Sequence, residues 1–311
     1  MNNQENLRQA YGKELLKWAK KDERIIALDA DLCGSTQTVF IEKEIPQRFF
    51  EMGIAEQNMT SVAAGLALVG KIPFVNSFAV FSVGQAYNQI RQGIALPRLN
   101  VKIVGSSCGL SDFGDGATHQ SIEDISIMRA IPNMTIIVPV DAIETRKVVG
   151  EVIKYKGPVY IRINRNDLPN VTKESDQFII GKMQKITEGK DVVIFACGLM
   201  VSQSLKAREI LLPQGISLRI INVSTIKPLN KEEVIKFSRD IKKVITAEEN
   251  NVIGGLGGAI CEALEDQEMK ITRIGINDEF GQSASCYEDL IKYYHLTPED
   301  IITKVKNLIN Q

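Results

Sequence analysis

The 311-residue chain has few of the residues from which disulfide frameworks and metal sites are built. It contains two histidines and five cysteines, and the cysteines are scattered, odd in number and form no C-x-x-C pair. This pattern argues against a disulfide framework and against a zinc site, and it favours reduced thiols in the cytoplasm. The N-terminus is charged and has no apolar segment typical of a signal peptide, so we expect a cytoplasmic protein.

The chain also lacks an excess of one charge and a long apolar run. Its 37 basic and 38 acidic residues leave a net charge of −1, so the sequence predicts neither a nucleic-acid partner nor a membrane partner. No uninterrupted apolar run reaches the length of about 18 residues that a membrane-spanning helix requires. With 44% hydrophobic and 24% charged residues, the composition is that of an ordinary globular protein long enough for two domains.

Short apolar strands alternate with helical segments along most of the sequence. This alternation predicts an α/β fold of two consecutive domains, each with helices on both faces of a mainly parallel sheet, which makes three layers. We expect the first domain at residues 1–165, a more polar linker at 166–190 and the second domain at 191–311.

A single carboxylate precedes a long run of small and apolar residues in Met52–Gly70. The run Ala63–Val69 is typical of a closely packed, buried helix. Glu56 beside it would be poorly solvated, which makes it a candidate proton donor or acceptor. The alternative is an ordinary acid in the exposed first turn of a helix, where the helix dipole stabilises it.

Two further stretches follow predicted strands, where the loops of α/β sheets form ligand sites. Phe78 and Phe81 are either core residues or a platform for a flat heteroaromatic ring. The glycine-rich loop 105–120 holds Asp112, Asp115 and His119. Because a histidine beside a carboxylate is a common proton-handling pair at neutral pH, we interpret this loop as functional.

Two glycine motifs resemble cofactor motifs only in part. Gly114-Asp115-Gly116 starts like a diphosphate-binding motif, but the asparagines that would complete a metal site do not follow, so we expect no metal ligands in this chain. The glycines at 254–258 lack the spacing of a dinucleotide fingerprint and predict a tight strand-to-helix turn.

Three polar residues lie at ends of predicted elements of the first domain. They are Arg8, Ser35 and Arg165. Each alone is typical of a surface, but together they could form a phosphate clamp, because arginine offers a fork of donors to an anion.

Seven blocks, in this order, resemble the C-terminal half of transketolase, a thiamine-diphosphate enzyme, over nearly the whole chain. They are DADLCGST at 29–36, FFEMGIAEQNM at 49–59, SFAVF at 77–81, GDGATHQSIED at 114–124, PVYIRINRNDLP at 158–169, CGLMVSQSLKA at 197–207 and IGGLGGAICEAL at 253–264. The resemblance implies a pyrimidine-binding domain followed by the transketolase C-terminal domain.

The resemblance also implies the residues that meet the cofactor. Glu56 matches the glutamate that hydrogen-bonds the aminopyrimidine ring of thiamine diphosphate and promotes its imino tautomer. Phe78 and Phe81 match aromatics that pack against this ring. Asp31 matches an acid near the cofactor, at the boundary between two subunits.

A second set of matches concerns the sugar phosphate substrate. Asp115 matches a residue that contacts a substrate hydroxyl, and His119 matches the histidine near the reacting oxygens of the sugar. Arg8, Ser35 and Arg165 match positions that bind the substrate phosphate.

Three positions depart from the transketolase pattern. Gly84 replaces a third aromatic, Ala117 stands where proline is common, and Ser107 stands at the apparent position of a loop histidine. The missing histidine leaves the identity of the sugar open.

The resemblance lacks the N-terminal domain that holds the diphosphate and its metal in this family. We therefore expect one subunit of a split transketolase, completed by a separate N-terminal subunit that holds Mg²⁺ or Ca²⁺, in a two-plus-two heterotetramer. Three alternatives remain: an enzyme like 1-deoxy-xylulose-5-phosphate synthase, the β subunit of a 2-oxo-acid dehydrogenase, and a catalytically silent assembly partner.

Overall fold

Short runs of valine, isoleucine and leucine form strands that are covered on both faces. In the computed structural model, which describes residues 4–310, every residue of Ile25–Asp29 and of Val192–Ala196 is buried. Strands of this kind require helices on both sides of the sheet, and they build two α/β domains with mainly parallel sheets. The fold class expected from the sequence is confirmed.

The described residues contain fourteen strands. They are β1 (Gln4–Asn6), β2 (Ile25–Asp29), β3 (Phe49–Glu51), β4 (Ile72–Phe78), β5 (Lys102–Ser106), β6 (Thr135–Ile137), β7 (Val159–Arg162), β8 (Asp167–Pro169), β9 (Gln184–Thr187), β10 (Val192–Ala196), β11 (Leu218–Asn222), β12 (Thr225–Lys227), β13 (Lys243–Asn251) and β14 (Lys270–Ile276).

Residues 4–310 also contain thirteen α-helices. They are α1 (Leu7–Ala19), α2 (Cys33–Thr36), α3 (Val39–Glu44), α4 (Glu56–Leu68), α5 (Ala79–Gly84), α6 (Tyr87–Gln89), α7 (Asp124–Ala130), α8 (Ala142–Lys154), α9 (Leu199–Leu211), α10 (Lys231–Ser238), α11 (Leu256–Ala263), α12 (Tyr287–Tyr293) and α13 (Pro298–Asn310). A π-helical turn covers Ile90–Ala95, and 3₁₀ turns cover Pro46–Arg48, Gly116–Thr118 and Leu212–Gln214. Across the part of the chain that the structure describes, no helix is both long and apolar enough to cross a membrane.

The first sheet has seven strands in the order β12-β6-β7-β5-β4-β2-β3. Its six strands from residues 25–162 are parallel, and β12 pairs antiparallel with β6 at one edge. Because β12 comes from the second half of the chain, it joins the two halves through backbone hydrogen bonds.

The second sheet has five strands in the order β14-β13-β10-β11-β9, and β9 is its one antiparallel member. The segment 166–190, expected as a linker, contributes β9 to this sheet and pairs β8 with β1 near the start of the chain. The domain boundaries themselves remain a prediction, and residues 1–3 and 311 of the two ranges lie outside the described residues.

Helix α4 differs from the expectation of a closely packed, buried helix. Its buried residues are Glu56, Met59, Thr60 and Ala63. At its C-terminal end, Leu68 is 72% exposed and the following Val69 is 75% exposed. The prediction of a buried helix is wrong for this chain, because only one narrow face of α4 packs on the sheet.

Candidate active site

The carboxyl ends of the parallel strands collect most of the candidate residues. Because β2, β3, β4, β5 and β7 run in the same direction, the loops that follow them meet at one edge of the first sheet. These loops and strand ends carry Asp31, Glu56, Phe78, His119 and Arg165, in that strand order.

Glu56 is the first residue of α4 and is only 7% exposed. Its Oε1 accepts a hydrogen bond from the Ser77 hydroxyl at 3.2 Å. Ser77 directly precedes Phe78 at the end of β4, so the carboxylate lies beside the strand end that carries the aromatic pair. Glu56 thus lies in a first helical turn, as the alternative reading of the sequence had it, but it is buried and not exposed.

Phe78, Phe81 and His119 form one cluster of rings. The two phenyl rings are stacked with centroids 6.0 Å apart and planes 13° from parallel. The imidazole of His119 approaches Phe81 edge-on at 5.2 Å and Phe78 at 6.3 Å. Its Nδ1 lies 2.9 Å from the Thr118 hydroxyl, which orients the ring. The flat faces of the two phenyl rings thus lie beside an imidazole that can carry a proton.

Arg165 connects this cluster to a group of charged residues. Its guanidinium carbon lies 5.9 Å from the Phe78 ring centroid, and its Nη1 donates to Asp112 Oδ2 at 2.6 Å. Arg8 donates from Nη1 to the backbone oxygen of Ser35 at 2.9 Å. Burial and the neighbouring charge of Arg165 lower the pKa of Arg8 to about 10. Two cations are therefore held close together at this edge of the sheet.

Asp112 was noted in the sequence only as a loop acid, and the structure buries it beside Arg165. Its side chain is 3% exposed. Burial raises the pKa of Asp112, Arg165 opposes this shift, and the neighbouring exposed Asp115 adds to it. A buried carboxylate and an exposed one thus lie side by side in the loop that carries His119.

Asp31 lies at the other side of the site, on a left-handed turn with φ 61°. Its backbone N–H donates to Glu51 Oε1 at 2.8 Å. The turn is also shaped by the buried Asp29, which accepts hydrogen bonds from the Thr36 and Thr38 hydroxyls. Burial raises the pKa of Asp29 to about 6, and these hydrogen bonds oppose the shift. Sequence reasoning missed Asp29 and Glu51.

The second domain holds the loop that carries Asp112 and His119. Glu249, fully enclosed on β13, accepts from the Leu110 backbone N–H at 2.7 Å. Gln120 donates from Nε2 to the backbone oxygens of Asp112 at 3.1 Å and Gln282 at 3.0 Å. No short-range sequence signal marks the Glu249–Leu110 and Gln120–Gln282 contacts, because these partners lie 139 and 162 positions apart along the chain.

Ser107 begins this loop in a strained conformation. It is buried, its φ is 51°, and its hydroxyl has no hydrogen-bond partner among residues 4–310. Serine is uncommon at positive φ, and such backbone strain is concentrated at functional sites.

In the described residues no group of three or more histidine, cysteine, aspartate or glutamate side chains is arranged to hold a metal ion.

The two halves of the chain match two family models. Residues 3–171 match the model described as transketolase, pyrimidine binding domain, and residues 181–301 match transketolase, C-terminal domain.

Relatives of similar length carry transketolase names. A Methanocaldococcus jannaschii protein named as a transketolase C-terminal section is 46% identical, and the match covers 96% of this chain and 95% of the relative. A 6-deoxy-6-sulfo-D-fructose transketolase subunit of Clostridium sp. strain MSTE9 is 41% identical over 95% and 92%. An apulose-4-phosphate transketolase subunit of Phocaeicola vulgatus is 36% identical over 96% of each chain.

A solved structure resembles the chain over its whole length. It is described as a split gene transketolase in an inactive beta4 tetramer, with a TM-score of 0.90, 41% identity and 98% coverage of both chains.

Proposed function

The chain belongs to the transketolase family, and from this premise we propose that it is the C-terminal subunit of a split, thiamine-diphosphate-dependent transketolase. In this proposal it transfers a two-carbon ketol unit from a ketose phosphate to an aldose phosphate. Relatives named as transketolase subunits, matched over nearly their whole length, support a separate partner chain.

The ring cluster and Glu56 fit the pyrimidine end of thiamine diphosphate. The stacked Phe78 and Phe81 offer flat apolar faces, and the buried carboxylate beside them can share a proton with a ring nitrogen. When bound, thiamine diphosphate supplies the nucleophilic carbon that carries the two-carbon unit. Glu56 then hydrogen-bonds the aminopyrimidine, the two phenylalanines pack against it, and Asp31 lies at the boundary with the partner chain.

The loop after β5 and the two arginines fit a sugar with an anionic end. His119 exchanges a proton with the reacting oxygens of the sugar, and Asp115 accepts a hydrogen bond from a substrate hydroxyl. Arg8, Ser35 and Arg165 bind the terminal anion, since two nearby guanidinium groups are complementary to it.

Exposed apolar residues along α4 support a second subunit that covers this helix. Ile54 just before the helix is 82% exposed, and Leu68 and Val69 at its end are more than 70% exposed. Leu96, which follows the π-helical turn packed against α4, is 70% exposed. An apolar surface on the helix that begins with Glu56 favours coverage by a protein partner. We propose that the N-terminal subunit covers it in an α₂β₂ assembly and holds the diphosphate with Mg²⁺ or Ca²⁺.

The burial of Glu56 beside the Phe78–Phe81 stack carries this proposal. The test is a transketolase assay of this chain mixed with the N-terminal-type subunit, with thiamine diphosphate and Mg²⁺ present. Xylulose 5-phosphate and ribose 5-phosphate form the first substrate pair, followed by ketoses with a terminal sulfonate.

We expect activity in the mixture and none with either chain alone. The solved relative described as an inactive beta4 tetramer supports the second part of this expectation. Turnover by this chain alone would contradict the split site. A complex that forms but uses no ketose donor would favour a silent partner or an oxo-acid enzyme instead.

A further inference from the structure

We propose that Asp112 is a specificity-determining residue, an internal counter-ion of Arg165 that disfavours a doubly charged terminal group on the substrate relative to a singly charged or neutral one. This inference rests on the proposed function, because it assigns Arg8 and Arg165 to the anionic end of the substrate.

Asp112 already occupies a donor that a substrate anion would need. Its Oδ2 lies 2.6 Å from Arg165 Nη1, and the two groups form a charge-assisted hydrogen bond. The Asp112 side chain is 3% exposed, whereas that of Arg165 is 33% exposed. The ion pair is therefore buried at Asp112 and partly exposed at Arg165, so a ligand can approach it from the side of Arg165.

Hydrogen bonds fix the backbone at Asp112. The Asp112 carbonyl accepts hydrogen bonds from the backbone N–H of Gly116 at 3.2 Å and from Gln120 Nε2 at 3.1 Å. Gln120 in turn donates to the backbone of the second domain at Gln282. The backbone that carries Asp112 is therefore held beside Arg165, and its buried carboxylate stays near this guanidinium when an anion arrives.

Arg8 has spare capacity for an anion. Its Nη1 donates to the Ser35 carbonyl, but its buried Nε has no partner among residues 4–310. Arg165 and Asp112 act on Arg8 with opposite electrostatic effects, so both lie within range of its charge. An anion that bridges the two arginines therefore enters the field of Asp112.

The charge balance of this cluster decides which anion it accepts. Arg8 and Arg165 supply two positive charges, the carboxylates of Asp112 and Asp115 supply two negative ones when ionised, and the exposed Asp167 also acts on Arg8. A phosphate dianion competes with Asp112 for Arg165 and is repelled by its charge at close range. A sulfonate carries one charge and a hydroxyl none, so each is repelled less.

The test measures anion binding to the full chain, without relying on turnover. Isothermal titration calorimetry at about pH 8, where phosphate is mainly dianionic, compares inorganic phosphate with methanesulfonate. The variants are Asp112→Asn, which keeps the shape and removes the charge, and Asp112→Ala. The matched control is Asp167→Asn, because Asp167 is exposed and acts on Arg8 without an ion pair to Arg165.

We expect Asp112→Asn to bind phosphate at least about tenfold more tightly than the wild type, and methanesulfonate with a smaller gain. Asp167→Asn should change phosphate binding by less than about threefold, as an exposed charge does. The inference is overturned if both Asp112→Asn and Asp112→Ala leave the affinity for phosphate unchanged or lower it. It is also overturned if both variants raise the affinities for phosphate and methanesulfonate equally. Circular dichroism and melting curves establish that each variant is folded.

A kinetic measurement separates this inference from the proposed function. In the reconstituted complex, Asp112→Asn should lower KM for a sugar phosphate and leave kcat within about twofold, the pattern of a change in ground-state binding. Absence of transketolase turnover would contradict the proposed function but would leave the binding result valid. Turnover with a raised KM in Asp112→Asn would contradict the role of Asp112 and leave the proposed function standing.

Discussion

The contacts of Glu56 within the chain do not account for the burial of its carboxylate. It starts α4 with 7% of its surface exposed and accepts one side-chain hydrogen bond, from Ser77. Burying a carboxylate costs free energy unless it is well paired. A ligand that shares a proton with Glu56 would explain why the acid lies there.

Replacing Glu56 by Gln tests this role at the scale of one residue. We expect turnover of the reconstituted enzyme to fall about a hundredfold or more, because proton sharing with the cofactor ring is lost. Complex formation, measured by sedimentation, should remain as in the wild type, and exposed Glu23→Gln should match the wild type in both measurements. If Glu56→Gln abolishes assembly instead, the residue is structural.

The sequence predicts some of these residues and not others for a physical reason. Phe78 ends strand β4 and His119 lies in the loop after β5, and the ends of parallel strands can be located from the alternation of apolar segments. The partner of Asp112 is Arg165, 53 positions away, and the partner of Glu249 is Leu110, 139 positions away. Such pairs depend on how the chain folds back, which no local pattern encodes.

Helix α4 shows the same limit at the scale of an element. Its apolar composition predicts burial, and its start at Glu56 agrees with the sequence, but Leu68 and Val69 are exposed in the single chain. An apolar composition indicates that a segment is suited to burial. It does not record whether the cover comes from the same chain or from another.

A charge introduced on this face tests the proposed subunit contact. Leu68→Lys should weaken association with the N-terminal subunit at least about tenfold, because burying a leucine contributes about 1.5–3 kcal/mol and a buried lysine opposes it. Calorimetric titration of one subunit with the other measures the affinity. Leu212→Lys is the control, since Leu212 is 45% exposed and lies after α9 in the second domain.

The variant chain must remain folded for this comparison, and exposure of Leu68 makes that the expectation. If Leu68→Lys associates as tightly as the wild type, the α4 face does not contact the partner. If Leu212→Lys weakens association equally, the effect is one of charge alone.

At the scale of the whole molecule, the two domains are joined by polar contacts that the sequence pattern does not predict. Strand β12 completes the first sheet from the second half of the chain. Beside it, Glu144 on α8 accepts hydrogen bonds from the Ser224 hydroxyl at 2.6 Å and from Asn222 Nδ2 at 3.1 Å. Glu249 of the second domain also accepts a hydrogen bond from the Leu110 backbone N–H. The second domain therefore stabilises the loop of the candidate site.

We expect Glu144 to make this junction sensitive to pH. Burial raises its pKa from 4.5 to about 7, and the hydrogen bonds from Ser224 and Val140 oppose the shift. A group with a raised pKa in the folded state contributes stability that is fully present below its unfolded pKa and is lost as the pH rises through the folded pKa. The contribution of Glu144 should therefore be present at about pH 4.5 and lost above about pH 7.

Glu144→Gln removes this titration but keeps the size of the side chain. We expect the free energy of unfolding of the wild type, relative to the variant, to decrease by up to about 3 kcal/mol between about pH 4.5 and pH 8. Urea unfolding at several pH values measures it. Glu151→Gln is the control, because Glu151 lies on the same helix and its side chain is 34% exposed. Its difference from the wild type in the free energy of unfolding should stay nearly constant over this pH range. A constant difference for Glu144→Gln as well would mean that Glu144 remains ionised in the folded chain, because its hydrogen bonds then outweigh the cost of burial.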